Sequence, residues 1–283
     1  MDKLAFIIDD SIISSENPLP EHHYSIAITL TENNAESTEY NYHNPISFAT
    51  MKTKISNNVQ FKTNAIIPGD GYKLLQQLIK KYEKIVICGI SSEISSSYQS
   101  WLQILENFDQ NKNQILLLKN QVIGETLYDY TLEALKQVEI NDDWNIIKSV
   151  LNPVLNFSGI LLIQELDTLY RGGRISLIKS KLTSLLNFKI LIQYTNGKIS
   201  YFNKAKSWDK TFKKIHQFIT NNLSVNLSKP NKLHILSSFL DLEEFNKIKQ
   251  QLIVYFPNTT FKISEMPKPI LAHVGINALA ITQ

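Results

Sequence analysis

Two acidic side chains, Asp9 and Asp10, directly follow the apolar run Leu4 to Ile8. A carboxylate pair at the end of a buried strand would suit a phosphatase that holds Mg²⁺ and attacks phosphate through aspartate. That chemistry needs the two carboxylates one residue apart, and Ser11 occupies the second place. The plainer reading is that Asp10 or Ser11 caps a helix or satisfies a loop backbone. A second cluster, Ser91 to Ser97, supplies five hydroxyls where a strand gives way to a helix. Free amides and the helix dipole favour an anion such as a carboxylate there, and helix capping is the bland alternative. No GxSxG elbow surrounds these serines, so nucleophilic catalysis has little support. His273 lies in the apolar segment Ile270 to Gly275, where a lone histidine is more often a satisfied core residue than a ligand. Arg171-Gly172-Gly173-Arg174 reads either as an ordinary turn or as a guanidinium held tightly to meet carboxylate or phosphate.

Composition narrows the choices. Only nine residues are Gly, and none assemble GxGxxG or GxxxxGK[ST], which argues against a nucleotide cradled by a glycine-rich loop, so an ATP-dependent activity would need a partner to hold the ATP. The six histidines show no HExxH spacing and the single Cys88 sits inside an apolar run, which argues against a metal site and rules out an intramolecular disulfide. A net charge of +3 is too small for a protein built around duplex nucleic acid. The sequence holds no signal-peptide pattern and no apolar stretch of membrane-spanning length, and it predicts a cytoplasmic protein.

The elements that must position these residues follow from periodicity. Leu4–Ile8, Lys84–Ile90 and Gln114–Leu118 read as buried strands, and 70–82, 98–108, 125–138 and 142–150 as helices. This alternation predicts a parallel sheet covered on both faces. The polar stretch up to Asn58 predicts loops and one or two edge strands. Near Pro153 the character changes: a strand at 159–163 is followed by a helix over Ile175 to Leu186, then by two β-rich runs flanking Thr195-Asn196-Gly197, a strong hairpin signal. Further on, 211–220 and the run from Leu242 read as helices and 234–237 as a strand. We therefore expect an α/β protein of two domains, a parallel-sheet domain over 1–155 and a domain with a mixed or antiparallel sheet over 156–283, with a ligand site between them.

In order along the chain, four segments resemble the DegV family of bacterial fatty-acid-binding proteins, which serve as acyl-carrying subunits of fatty acid kinase. Ile7-Ile-Asp-Asp10-Ser11 is similar to the family's strand followed by Asp-Ser, and Ile90 to Ser100 to its ISSxLSGTYQS. Leu169-Tyr-Arg-Gly-Gly-Arg-Ile-Ser176 is similar to LxxGGRIS, and His273-Val-Gly275 to HxG. The resemblance implies that Thr63, Ser95 and His273 gather around a fatty acid carboxylate, with Asn64, Ser96, Ser97 and Gly275 in the same binding set. It places Arg174 near the site and the kinase-facing surface. It further implies a long-chain fatty acid as ligand with no cofactor, an ATP-binding kinase subunit as partner, transient contact with a membrane surface, and no catalysis by this chain alone. The sequence departs from the family's pattern at Asn64, which replaces a serine, and at Ser96, which replaces a glycine. The rival expectation is a hydrolase of acyl or phosphate esters acting through Asp10 or Ser95.

Overall fold

A computed structural model describes residues 2–12, 19–33, 38–41, 44–119, 124–140, 143–151, 157–164, 166–171, 188–195, 197–223, 225 and 229–282. In chain order its strands and helices are β1 (Asp2–Asp9), β2 (His23–Ile26), β3 (Leu30–Glu32), β4 (Glu39–Tyr40), α1 (Phe48–Ser56), β5 (Phe61–Thr63), α2 (Pro68–Leu78), β6 (Tyr82–Cys88), α3 (Ser97–Leu105), β7 (Ile115–Leu118), α4 (Glu125–Ile140) and α5 (Trp144–Leu151). They continue with β8 (Ser158–Ile163), α6 (Asp167–Arg171), β9 (Lys189–Thr195), β10 (Lys198–Ala205), α7 (Trp208–Asn222), β11 (Asn231–Ser237), α8 (Leu242–Tyr255), β12 (Thr259–Glu265), α9 (Lys268–Val274) and β13 (Leu279–Thr282). The predicted helix over Ile175 to Leu186, Arg174 and the linker around Pro153 lie outside the described residues.

The first domain is a four-stranded sheet in the order β2-β1-β6-β7, parallel throughout. Strand β1 is buried on both faces because its side chains alternate between two cores: Leu4, Phe6 and Ile8 meet α4 and α5, whereas Ala5 and Ile7 meet α2 and α3. The order runs outward from β1 in both directions, so the chain leaves β1 and β6 toward opposite sides of the sheet. Loops at the carboxyl ends of two such strands form a crevice, the usual ligand position in open α/β sheets. Those loops here are Asp9–Ile12 and Gly89–Ser96.

The second domain is a six-stranded mixed sheet, β10-β9-β8-β13-β11-β12, in which only β11 and β12 run parallel. Period-2 alternation divides it cleanly. Ile160, Leu162, Leu191, Ile235 and Ile281 face α7 and α8, while the alternate residues Leu161, Ile192, Leu236 and Ala280 face the opposite side.

The polar stretch before Asn58 holds more structure than its composition predicts. A three-stranded sheet, β4-β3-β5, and helix α1 put Leu30, Phe48, Met51 and Phe61 into one core with Ile163, Ile190 and Leu271 of the second domain. A partly buried ion pair steadies this unit: Lys54 Nζ meets the buried Glu32 at 2.8 Å and the Tyr40 hydroxyl donates to the same carboxylate at 2.8 Å. Tyr82, expected at the end of a helix, instead opens β6, where it is fully buried.

Candidate ligand-binding site

The two domains enclose a cavity of about 1140 Å³, counting the space at its mouth. Its floor is the inner face of the six-stranded sheet: Gly159, Leu161, Ile192, Tyr194, Leu236 and Ala280 all line it. Register makes this face continuous, because Thr282, Gly159, Tyr194 and Ile199 stand directly opposite one another across β13, β8, β9 and β10, and all four line the cavity. Polar residues collect where the strand-end loops meet α9, namely Ser11, Thr63, Asn64, Ser95, Ser96 and His273.

Three devices position that polar group. First, the buried Asp9 carboxylate ties the two crevice loops together. One of its oxygens, Oδ1, accepts from the Ser11 amide at 3.0 Å and from the Ser11 hydroxyl, and Oδ2 accepts from the Ile90 amide at 2.8 Å. Burial pushes the Asp9 carboxyl up from its ordinary value and the bonds from Ser11 and Ile90 oppose that. Gly89 is required beside it, since a Cβ there would lie 2.9 Å from Asp9 Oδ2. The half-buried neighbour Asp10 is driven to about 7 by desolvation and by the Asp9 charge, against the Lys268 ammonium and a backbone bond from Ile28.

Second, the serine loop is an ordered turn. The amides of Ile94 and Ser95 both donate to the Ser91 carbonyl at 3.1 Å. The Ser91 hydroxyl donates to the Gly197 carbonyl at 3.0 Å and so anchors the loop to the β9–β10 hairpin. The Ser95 hydroxyl donates to Ser97 Oγ at 3.1 Å and accepts the Ser97 amide at 3.2 Å, a local serine turn at the entry to α3.

Third, α9 begins with Pro269 in its first turn and ends at Gly275, whose φ of 77° and ψ of −170° suit only glycine. A Cβ at 275 would also meet Thr168 Oγ1 at 2.7 Å. The Ser238 hydroxyl holds the Gly275 carbonyl at 2.8 Å. This fixes the end of α9 so that His273 Nε2 lies 2.8 Å from Thr63 Oγ1, at the end of β5.

Of the residues expected in the site, Thr63, Asn64, Ser95, Ser96 and His273 therefore share one cavity wall. Ser97 and Gly275 stand behind it as supports, and Arg174 lies outside the described residues. Asn64 is exposed and its side chain reaches Thr31 Oγ1 at 3.3 Å. Ser11 was legible only as a capping residue, yet it lines the cavity; the bond it makes to Asp9 reverses the expected roles, with Asp9 as the acceptor for both loop amides. No group of His, Cys, Asp and Glu suited to a metal ion occurs among the described residues. A hydrolytic arrangement finds no support in the same geometry, since Ser95 is bonded to Ser97 while His273 pairs with Thr63. No helix among the described residues is long and apolar enough to cross a membrane.

Comparison with known proteins agrees with these motifs. The model of the family described as uncharacterised protein, DegV family, matches residues 6–283. The chain belongs to the DegV family. A DegV domain-containing protein of Mycoplasma genitalium is 25% identical over 288 residues, covering 98% of this chain and 98% of that protein. The DegV structure of Bacillus subtilis, described as a fatty acid binding protein, superposes with a TM-score of 0.76 at 20% identity, covering 100% of this chain and 99% of that one. A Thermus thermophilus DegV family structure described by its fatty acid binding gives 0.79 at 16% identity, over 99% and 98% of the two chains. The fatty acid kinase B3 protein of Streptococcus pneumoniae, loaded with linoleic acid, gives 0.76 at 13% identity, over 99% and 98%. These DegV structures share the two-domain α/β fold described above.

Proposed function

We propose that this DegV protein binds one long-chain fatty acid, with the tail over the six-stranded sheet and the carboxylate at Thr63, Ser95 and His273, and presents that carboxylate to a separate ATP-dependent kinase for acyl phosphate formation. The observation that carries the reading is the Thr63–His273 pair, 2.8 Å apart, at the polar margin of a cavity otherwise walled mainly by apolar side chains of the sheet, α9 and the loops. Burial of about 15 methylenes at ~0.8 kcal/mol each supplies on the order of 12 kcal/mol before ordering costs. Such a tail drives association, but the carboxylate must leave water with it and needs hydrogen-bond donors. If His273 Nε2–H donates to Thr63 Oγ1, the threonine hydroxyl keeps its own proton to give to the ligand. Ser95, on the same wall with Asn64 and Ser96 beside it, supplies a second donor when its hydroxyl proton turns from Ser97 to the ligand. The Bacillus and Thermus relatives, described by fatty acid binding, and the Streptococcus relative, loaded with linoleic acid, support fatty acid as the ligand, and the fatty acid kinase B3 relative supports the kinase role. By family resemblance Arg174 serves the kinase-facing side.

Mass spectrometry of an organic extract of the purified protein tests the ligand class: a co-purifying or exchangeable long-chain fatty acid is expected, and its absence contradicts the reading. In titrations with a fluorescent fatty acid, Ser95→Ala and His273→Ala should each weaken binding by tenfold or more, the ~1.5–3 kcal/mol of a hydrogen bond to a charged group, with the circular dichroism spectrum retained. Addition of ATP and a fatty acid kinase subunit should then yield acyl phosphate, trapped as a hydroxamate, and Arg174→Ala should lower that yield without changing fatty acid affinity.

A further inference from the structure

The two domains are joined at opposite margins of the cavity by unlike contacts. On one margin the Ser91–Gly197 hydrogen bond is buried, and the exposed Lys198–Glu93 pair lies beyond it at 3.9 Å. On the other, α4 of the parallel-sheet domain lies against the six-stranded sheet. Its first turn sets Thr126 Oγ1 3.4 Å from Thr282 Oγ1, and Gly124 leaves no room for a side chain, since a Cβ there would lie 2.6 Å from Leu236. One turn further along, Asp129 Oδ1 accepts from Lys262 Nζ at 2.9 Å and Oδ2 from Lys232 Nζ at 3.0 Å. His234 Nε2 stands 3.5 Å from the same Oδ2.

Sheet register links this cluster to the cavity. Lys262, His234, Thr282 and Gly159 are directly opposed across β12, β11, β13 and β8. Asp129 therefore grips one end of a row whose other members, Thr282 and Gly159, are cavity wall. Leu236, which packs under Gly124, lines the cavity as well.

We propose that Asp129 is an electrostatic latch: while it clamps α4 to the second sheet this margin of the cavity stays shut, and when it releases, α4 lifts and opens a route for the acyl ligand. The inference rests on the reading of the cavity as a fatty acid site. A single carboxylate from one domain is shared by two ammonium groups of the other, so its loss leaves two like charges where there was a clamp. Half-exposed ion pairs are individually weak, which suits a catch that must open, whereas the buried Ser91–Gly197 bond suits the margin that stays closed.

The test measures release of preloaded cis-parinaric acid into excess delipidated albumin, beside hydrogen exchange of the α4 amides. Asp129→Asn should release the probe about tenfold faster, equivalent to ~1.4 kcal/mol, and should speed amide exchange in α4. Added salt should accelerate release from the natural protein and have little effect on Asp129→Asn. The exchanged pair Asp129→Lys with Lys262→Asp should recover part of the slow release, which a merely packing role for Asp129 would not produce. An unchanged release rate together with unchanged α4 amide exchange in Asp129→Asn overturns the latch. If the natural protein takes up no fatty acid, the reading of the cavity fails instead, and α4 amide exchange alone still decides whether Asp129 clamps the helix.

Discussion

Two titratable side chains of the first domain, the half-buried Asp10 and the buried His23, oppose one another in their effect on stability. Burial raises the Asp10 carboxyl to about 7 from 3.8, so the folded state holds a proton that the unfolded chain has lost, and stability falls as pH rises between those values. His23 is lowered to about 4 from 6.5 chiefly by burial, against Phe6 and with Nε2 2.8 Å from Thr131 Oγ1. Its neutral form is the folded one, so stability is lost as pH falls from 6.5 toward 4. The windows overlap with opposite signs, and the natural protein should show a shallow pH profile. Asp10→Asn removes one side of the balance. It should be close to neutral near pH 4 and stabilising by on the order of 2 kcal/mol above pH 7, discounted for partial solvation, as read from urea unfolding at both ends. At this scale the motifs singled out Thr63, Ser95 and His273, which the fold brings to one cavity. They did not disclose the tie made by Asp9, because that tie depends on Ile90 arriving from a strand some eighty residues away, which no local spacing encodes.

Helix α9 shows what elements contribute. It has seven residues, too short to be stable alone, and it holds His273 because Gly275 terminates it in a conformation other residues resist. Gly275→Ala should cost about 1–3 kcal/mol through that backbone strain, with the crowding at Thr168 adding to it, and should weaken ligand affinity by moving His273 off Thr63. A Gly275→Ala protein with natural stability and natural affinity would refute this coupling. The strands buried on both faces, β1 and β6, were plain in the sequence because continuous apolar runs need no partner to be recognised. Helix α1 was not: its stripe is only Phe48, Met51 and the partly buried Ile55, set among polar residues, and its burial comes from the second domain's core. Strands β12 and β13 were hidden for related reasons. The first is a half-exposed edge with weak alternation, and the second is a short run, Leu-Ala-Ile-Thr, whose strand character comes from pairing with β8 and β11.

For the whole molecule, the cavity exists because the parallel-sheet domain and the six-stranded sheet meet through loops, α4 and α9, and an acyl chain there would be buried by both at once. A ligand bound only to the folded state stabilises it by mass action, about 2.7 kcal/mol at a hundredfold excess over Kd, so saturating oleate should raise Tm by roughly 5 °C or more, while a short-chain acid such as acetate should not. The alternation of strand and helix announced the parallel-sheet domain, and the Asn-Gly hairpin announced antiparallel pairing in the second. The association of the β3–β5 unit with the second domain could not be read from a segment so polar. The most direct measurement is carbon-13 NMR of a carboxyl-labelled long-chain fatty acid bound to the protein. One bound carboxyl resonance per chain, displaced in His273→Ala and in Thr63→Ala, is the result predicted. A carboxyl signal that stays with free or micellar acid, or a bound signal indifferent to both substitutions, would contradict it.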